Sequence, residues 1–369
     1  MKKILFLIHD LGHGGAEKVL VNLVNNMDPE QFDITVMALF GGGINEQFLK
    51  SHIRLITCFP QAFPGNSHLM KLLTPRQLHN WLIKEHYDIE VSYLEGPAAR
   101  IISGCSHKDT KLVSWIHVEQ HTRECAAQAF RSYDESCRCY QKFHQTVCVS
   151  EYVKQDFLSL YPGISRIDVL YNTNETAQII EQAGEPVEEG IFRDGEIRLV
   201  GVGKLMPIKG FDRIARIHKR LRDEGFPVHT YVLGEGAERP KIEAYLEENG
   251  LCDSYTLLGY HTNPYKYVAN CDLFVCASTA EGFSTAATEA LIVGTPVCTV
   301  EVSGMKEMLG ANNEYGIVTD NDEEALYRGI KSLLDDPALL DHYKQQATIR
   351  GKKFDTVHTV KAVEQLLGG

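Results

Sequence analysis

Although the sequence holds ten cysteines, no two of them form a CxxC pair. Cys137 and Cys139 stand too close together for the usual zinc knuckle, so neither a zinc ribbon nor a disulfide framework is written into the chain. Several cysteines lie inside apolar runs such as QTVCVS and LFVCAS, and the set reads as buried free thiols in a reducing, cytoplasmic compartment. Long apolar runs are missing too. No window of about 18 apolar residues exists, which excludes a transmembrane helix. The opening MKKILFLIHD is apolar only from Ile4 to Ile8 before it meets His9 and Asp10; with no small-residue cleavage site it reads as a first β-strand, not a signal peptide. A positive excess is also absent. The 37 Lys+Arg stand against 49 Asp+Glu, a net −12, which argues against nucleic acid as a partner. Neither a short-period repeat nor a low-complexity tract occurs.

What is present is the ordinary composition of a folded chain, 369 residues with 44% hydrophobic and 23% charged. That length predicts two domains, each able to bury its own core. Short runs rich in Val, Ile and aromatics alternate with segments of helical period. The first half gives ILFLIH, ITVMAL, RLITCF, IEVSYL, KLVSWIH, QTVCVS and IDVLYN; the second gives IRLVGVG, HTYVLG, YTLLG, DLFVCAS, PVCTV and GIVT. Between the first two runs, Ala16, Val19, Leu20, Leu23, Val24 and Met27 form one apolar helix face. Thr74-Pro75 opens another helix, with a capping residue before Pro at the first helical position. This alternation predicts an α/β fold of two Rossmann-like, doubly wound parallel-sheet domains facing across a cleft. Their bounds are 1–172 and 197–369, with the last helix able to pack back on the first domain. The acidic, aperiodic stretch 173–196 is the linker.

Three segments have residue types suited to phosphate and sugar chemistry. The turn after the first strand, Leu11-Gly12-His13-Gly14-Gly15-Ala16-Glu17-Lys18, permits close backbone approach at a helix start. It lacks the GxGxxG spacing of a dinucleotide fingerprint. After the first strand of the second domain, Gly201-Val-Gly203-Lys204-Leu-Met-Pro-Ile-Lys209-Gly210 is no Walker loop, yet it sets two ammonium groups five residues apart, able to neutralise a pyrophosphate. After DLFVCAS comes Ala280-Glu281-Gly282-Phe283-Ser284-Thr285, then Glu289 one turn into a helix. There the amides suit a phosphate, and the two carboxylates can accept from sugar hydroxyls. Asp320-Asn321-Asp322 has the form of a metal-binding DxD string but precedes a helix, and reads as its cap.

In this order the motifs resemble glycosyltransferase family 4, whose GT-B fold has two Rossmann-like domains and whose signature is two Glu separated by seven residues, matched here by Glu281 and Glu289 in EGFSTAATEAL. The resemblance spans the chain: the GGAEK turn, a His after a middle strand, the GxGKLxxxKG loop, the GEG turn at Gly234–Gly236 and the EGF motif. It is nearest to bacterial surface-polysaccharide and lipid-linked-oligosaccharide members. It implies a retaining transfer of a hexose or N-acetylhexosamine from a nucleotide sugar, UDP-linked, to a saccharide acceptor, polyprenyl-pyrophosphate-linked, with no metal or other cofactor required. Lys204 and Lys209 would hold the donor diphosphate, with Lys204 standing where the family usually has Arg. Glu289 would take the ribose hydroxyls and Glu281 the transferred sugar. Amides of Gly282, Phe283, Ser284 and Thr285 would add diphosphate contacts, and Gly14 and Gly15 would close on the donor. His117, ending KLVSWIH, would face the sugar; His121 and Glu119 are weaker candidates nearby.

Two other functions share this architecture: a sugar-nucleotide 2-epimerase, and a non-catalytic sugar-nucleotide-binding subunit. The segment His68–Tyr87 combines Lys71, Arg76 and Lys84 with Leu, Met and Trp, so it fits either a half-buried domain helix or a peripheral contact with the inner face of the cell membrane.

Overall fold

The computed structural model describes residues 1–12 and 14–368, and Leu69 by its backbone. Thirteen strands form two all-parallel sheets. The first sheet contains β1 (Lys2–Ile8), β2 (Phe32–Phe40), β3 (Arg54–Phe59), β4 (Ile89–Ser92), β5 (Lys111–Ile116), β6 (Gln145–Cys148) and β7 (Ile167–Val169), in the order β3-β2-β1-β4-β5-β6-β7. The second contains β8 (Ile197–Val202), β9 (Val228–Leu233), β10 (Tyr255–Gly259), β11 (Leu273–Cys276), β12 (Val297–Val300) and β13 (Ile317–Thr319), in the order β10-β9-β8-β11-β12-β13. Each run of apolar residues read from the sequence is one of these strands, and the doubly wound α/β expectation holds. The strands are legible because helices cover both faces of a parallel sheet, so its strands are apolar without alternation. Ile4 to Ile8 of β1 are all fully buried.

The strand order reverses between β1 and β4 in one sheet and between β8 and β11 in the other. At such a reversal the loops leaving the carboxyl ends of the two strands part and open a crevice.

The first helix spans Gly15–Asn26 and buries Val19, Leu20, Leu23 and Val24, as the period requires. Burying each of these side chains contributes roughly 1.5–3 kcal/mol. Thr74 closes a capping box with Gln77 at the start of the Pro75–Leu82 helix. Asp322 caps the Glu323–Asp335 helix through the Ala325 amide, 2.8 Å away, so the DxD string is a helix cap.

The chain divides into two compact units, residues 1–174 with 356–369, and residues 175–355. It crosses from one to the other twice, after Asn174 and after Asp355. The Thr356–Gly368 helix is tied into the first unit, where Glu364 accepts from the Asp28 amide at 2.7 Å and the Lys111 ammonium donates to the Leu366 carbonyl at 2.6 Å. The stretch read as an aperiodic linker contains a helix, Thr176–Ala183, in the second unit. Only Ile179 of it is buried while Ile180 is 59% exposed, too little of an apolar face to register as a period. The cysteines also divide: five are buried and three are half-buried, but Cys125 and Cys252 are exposed. These two exposed thiols correct the reading of all ten as buried.

Candidate active site

The second unit's crevice is built from the loops that leave β8 and β11. Backbone stitches them together, the Thr279 amide donating to the Ile208 carbonyl at 2.8 Å. Gly210 follows Lys209 at φ +66°, where a Cβ would stand 2.2 Å from the Ala277 carbonyl oxygen. Only glycine lets the loop turn into the Phe211–Asp223 helix so close to the end of β11. Across this junction the Lys209 ammonium meets Glu281 Oε1 at 2.5 Å, and the Ser278 hydroxyl donates to the same oxygen at 2.7 Å. Two residues 72 apart in sequence thereby form one charged pair at the switch point. Lys204 is exposed on the same loop. The GEG turn lies against that loop, with Gly234 at φ +142° and a Cβ there 1.9 Å from the Gly203 carbonyl oxygen.

Ser284 caps the Thr285–Ile292 helix, its hydroxyl accepting from the Ala287 amide. That hydroxyl serves the helix, and the Phe283 ring is buried against Phe354. Backbone amides are therefore what this helix start can offer an anion from Gly282 to Thr285. Glu289 points inward, 7% exposed, and accepts from the Tyr265 hydroxyl at 3.2 Å.

In the first unit, Gly14 is the N-cap of the first helix and Gly15 its first residue; His13 lies outside the described residues. His117 follows β5 and is 6% exposed. Its amide donates to Glu95 Oε2 at 2.9 Å, and its ring packs on Tyr93 with centroids 4.9 Å apart. Nε2 of His117 is buried with no hydrogen-bond partner among the described residues. A buried ring nitrogen left this way is a ready contact for a hydroxyl. Glu95 follows β4 and its carboxyl is raised above the usual carboxylate range, mainly by burial. His121 instead occupies a left-handed turn, φ +59°, with its amide donating to Asp156. Glu95, Ser278 and Tyr265 are absent from the sequence reading. Each is a lone polar residue without a motif, visible only through its partner.

Burial pushes the His117 imidazole down to about 3, so it is neutral at working pH. His218, enclosed by the Thr230 and Ser254 hydroxyls, is also pushed down to about 3 by burial. As pH falls below about 6.5, an unfolded chain binds protons that these two folded residues refuse. Each therefore removes stability on acidification, on the order of several kcal/mol by about pH 3. His79 has the opposite sign: burial works to lower it, but hydrogen bonds to Cys105 and Glu90 outweigh that and raise it to about 9. Its contribution is complete below about pH 6.5 and is lost as pH rises through about 9. Melting temperature measured against pH is expected to peak near 6.5; a steady rise on acidification toward pH 5 would contradict the neutral burial of His117 and His218.

The amino-acid sequence matches two family models, "Glycosyltransferase Family 4" over residues 13–178 and "Glycosyl transferases group 1" over residues 187–350. It is 34% identical, over all of both chains, to the Campylobacter jejuni N-acetylgalactosamine-N,N'-diacetylbacillosaminyl-diphospho-undecaprenol 4-alpha-N-acetylgalactosaminyltransferase. The chain belongs to glycosyltransferase family 4. A second relative, the Salmonella typhimurium lipopolysaccharide 1,6-galactosyltransferase, is 24% identical over 82% of each chain. Among solved structures, Anabaena HepE in complex with UDP-glucose superposes with a TM-score of 0.79 at 18% identity, covering 100% of both chains. The fold of this family 4 enzyme is thus GT-B, and its activity is glycosyl transfer. Neither the epimerase nor the non-catalytic reading is favoured by these relatives. Among the described residues, no helix is long and apolar enough to cross a membrane.

Proposed function

We propose that this glycosyltransferase moves an N-acetylhexosamine from a UDP-sugar, with retention of anomeric configuration, to a polyprenyl-diphosphate-linked saccharide during surface glycan assembly. The observation that carries the reading is the Lys209–Glu281 pair at the β8/β11 switch point, in a chain similar over its whole length to a transferase named for such a donor sugar and acceptor. Lys209, Lys204 and the amides from Gly282 to Thr285 meet the diphosphate, while Glu281 accepts from the transferred sugar and Glu289 from the ribose hydroxyls. His117 offers Nε2 to a sugar hydroxyl, and Gly14 and Gly15 bring a helix start to the donor.

In the reaction the bond between the sugar C1 and the diphosphate oxygen breaks. Negative charge collects on the leaving diphosphate, where fixed ammonium groups and amides stabilise it without reorganising. The acceptor hydroxyl attacks the oxocarbenium-like C1 from the same face, and its proton passes to the departing phosphate oxygen. The products are the glycoside and UDP. Two lysines and a helix start supply the positive counter-charge, so the reading needs no metal ion.

The acceptor's lipid places the work at the inner face of a membrane. Leu72 is 76% and Trp81 42% exposed, on the helices Asn66–Leu72 and Pro75–Leu82, next to Lys71, Arg76 and Lys84 in sequence. Near an anionic surface each such cation contributes about 1 kcal/mol.

One assay tests the reading. Vesicles with an undecaprenyl-diphosphate-linked, N-acetylated disaccharide are offered UDP-N-acetylhexosamines, UDP-hexoses and a GDP-sugar, and transfer and UDP release are followed. A UDP-N-acetylhexosamine should be transferred with its anomeric configuration kept, with EDTA making no difference. Strict dependence on added Mg²⁺ would overturn the metal-free step. Epimerisation of UDP-N-acetylglucosamine alone, or binding without turnover, would return the function to one of the two rival readings. Reversing the charge of Lys71, Arg76 and Lys84 together should weaken sedimentation with anionic vesicles about a hundredfold; equal sedimentation would remove the membrane contact.

A further inference from the structure

The first unit holds a second recess that the reaction described above does not use. It is a cavity of about 130 Å³ whose floor is Phe40, Met70, Leu78 and Ile101 and whose rim includes His9, Asn66 and Ser67. His9 follows β1 and Phe40 ends β2, so the cavity lies at the carboxyl edge of the sheet, beside the β1/β4 reversal where open α/β sheets take their ligands. It is also joined to the glycine turn. Asp10 pairs with His9 Nδ1 through one carboxylate oxygen, at 2.7 Å, and accepts from the Gly12 amide through the other, at 2.8 Å.

Size and charge narrow the occupant. A pocket for a whole drug-sized molecule measures roughly 300–1,000 Å³, so this one takes a single substituent. Arg100 lies in its wall, but the guanidinium is committed: Nε and Nη2 donate to Glu135 at 3.0 and 3.1 Å, and Nη1 and Nη2 donate to the Met70 and Leu73 carbonyls at 2.8 Å each. With its charge answered by Glu135, it leaves no cation there for a phosphate. The floor is apolar, so a methyl group is favoured in it and a hydroxyl is not. At the rim, a carboxylate on Nδ1 makes that nitrogen the donor of the neutral His9 ring, in which Nε2 accepts a hydrogen bond. The Phe40 ring, 5.0 Å away, packs against the imidazole. Ser67 adds a hydroxyl that can donate.

One acceptor nitrogen, one donor hydroxyl and an apolar floor match the N–H, C=O and methyl of an acetamido group. We infer that this cavity is the subsite for an acetamido group of the acceptor sugar, with His9 and Ser67 as the residues that read it. The inference rests on the proposed transfer to an N-acetylated acceptor, and it makes this subsite the source of acceptor choice.

Two measurements test it, one of which needs no turnover. In ligand-observed saturation-transfer NMR with methyl α-N-acetylgalactosaminide, the acetyl methyl should receive the strongest saturation. Ala129→Leu, which adds bulk at the cavity wall and removes no polar group, should abolish that preference. The same methyl signal in wild type and Ala129→Leu would overturn the subsite. In transfer assays with paired lipid-linked acceptors differing only in acetamido against hydroxyl, wild type should favour the former about 10- to 200-fold in kcat/KM. Ala129→Leu should bring the ratio near one with UDP affinity unchanged, and His9→Phe should also bring the ratio near one. Transfer with no acetamido preference would also overturn the subsite. Failure of all lipid-linked acceptors would sink the function proposed above, while the NMR result would still decide the cavity.

Discussion

Lys209→Ala should lower kcat about 10²–10³-fold, the usual effect of removing one preorganised donor from a site of developing charge, and should weaken UDP binding as well. The loss has two possible physical sources. One is the diphosphate's missing counter-charge. The other is Glu281, which would be left with only the Ser278 hydroxyl of its two side-chain partners. A double variant separates them. If the damage comes from an uncompensated carboxylate, Lys209→Ala with Glu281→Gln should recover activity; if Lys209 neutralises the leaving group, the double variant should stay as slow as the single one or slower. Near-normal turnover of Lys209→Ala would remove it from the phosphate role. UDP release without acceptor, measured alongside transfer, shows whether bond cleavage itself has slowed.

The second large effect is expected at Glu289, in binding more than in chemistry. A carboxylate that accepts from two ribose hydroxyls makes charge-assisted hydrogen bonds worth about 1.5–3 kcal/mol each. Glu289→Ala should therefore raise the dissociation constant for UDP by about two orders of magnitude or more, with kcat at saturating donor reduced much less. Calorimetric titration of UDP reads this directly; UMP, which keeps the ribose, should weaken in parallel, and uracil, which lacks it, gives the control. Tyr265→Phe guards against a purely structural account, because it removes the hydroxyl that donates to Glu289 and leaves the carboxylate in place. If Tyr265→Phe weakens UDP as much as Glu289→Ala does, the carboxylate is holding the Tyr265 helix in place and not the ribose.

The strands were readable from the amino-acid sequence because a two-faced parallel sheet leaves a dense apolar signal, as Ile4 to Ile8 show. The Thr176–Ala183 helix was not, since its one buried residue, Ile179, makes no repeating face. At the candidate site the residue types were legible and the pairings were not. Lys209 and Glu281 each stood in a recognisable loop, yet their 2.5 Å contact depends on β8 and β11 being neighbours. That is a property of strand order, which local spacing does not encode. Glu95, Ser278 and Tyr265 were missed for a related reason. A carboxylate that accepts the His117 amide from the adjacent strand's loop, or a tyrosine that reaches a glutamate from another helix, has no sequence period at all.

The double crossing of the chain carries a consequence for synthesis on the ribosome. The second unit is complete once Asp355 has emerged, whereas the first unit, whose strands precede it, still lacks the Thr356–Gly368 helix. Until then the Asp28 amide and the Lys111 ammonium are without the partners that this helix brings. The half of the molecule made first is thus the half finished last, and the younger half can close before it. During that interval the first unit lacks the buried face of that helix, Val360, Val363 and Leu367, a stage at which apolar surface that the finished enzyme conceals is open to a chaperone.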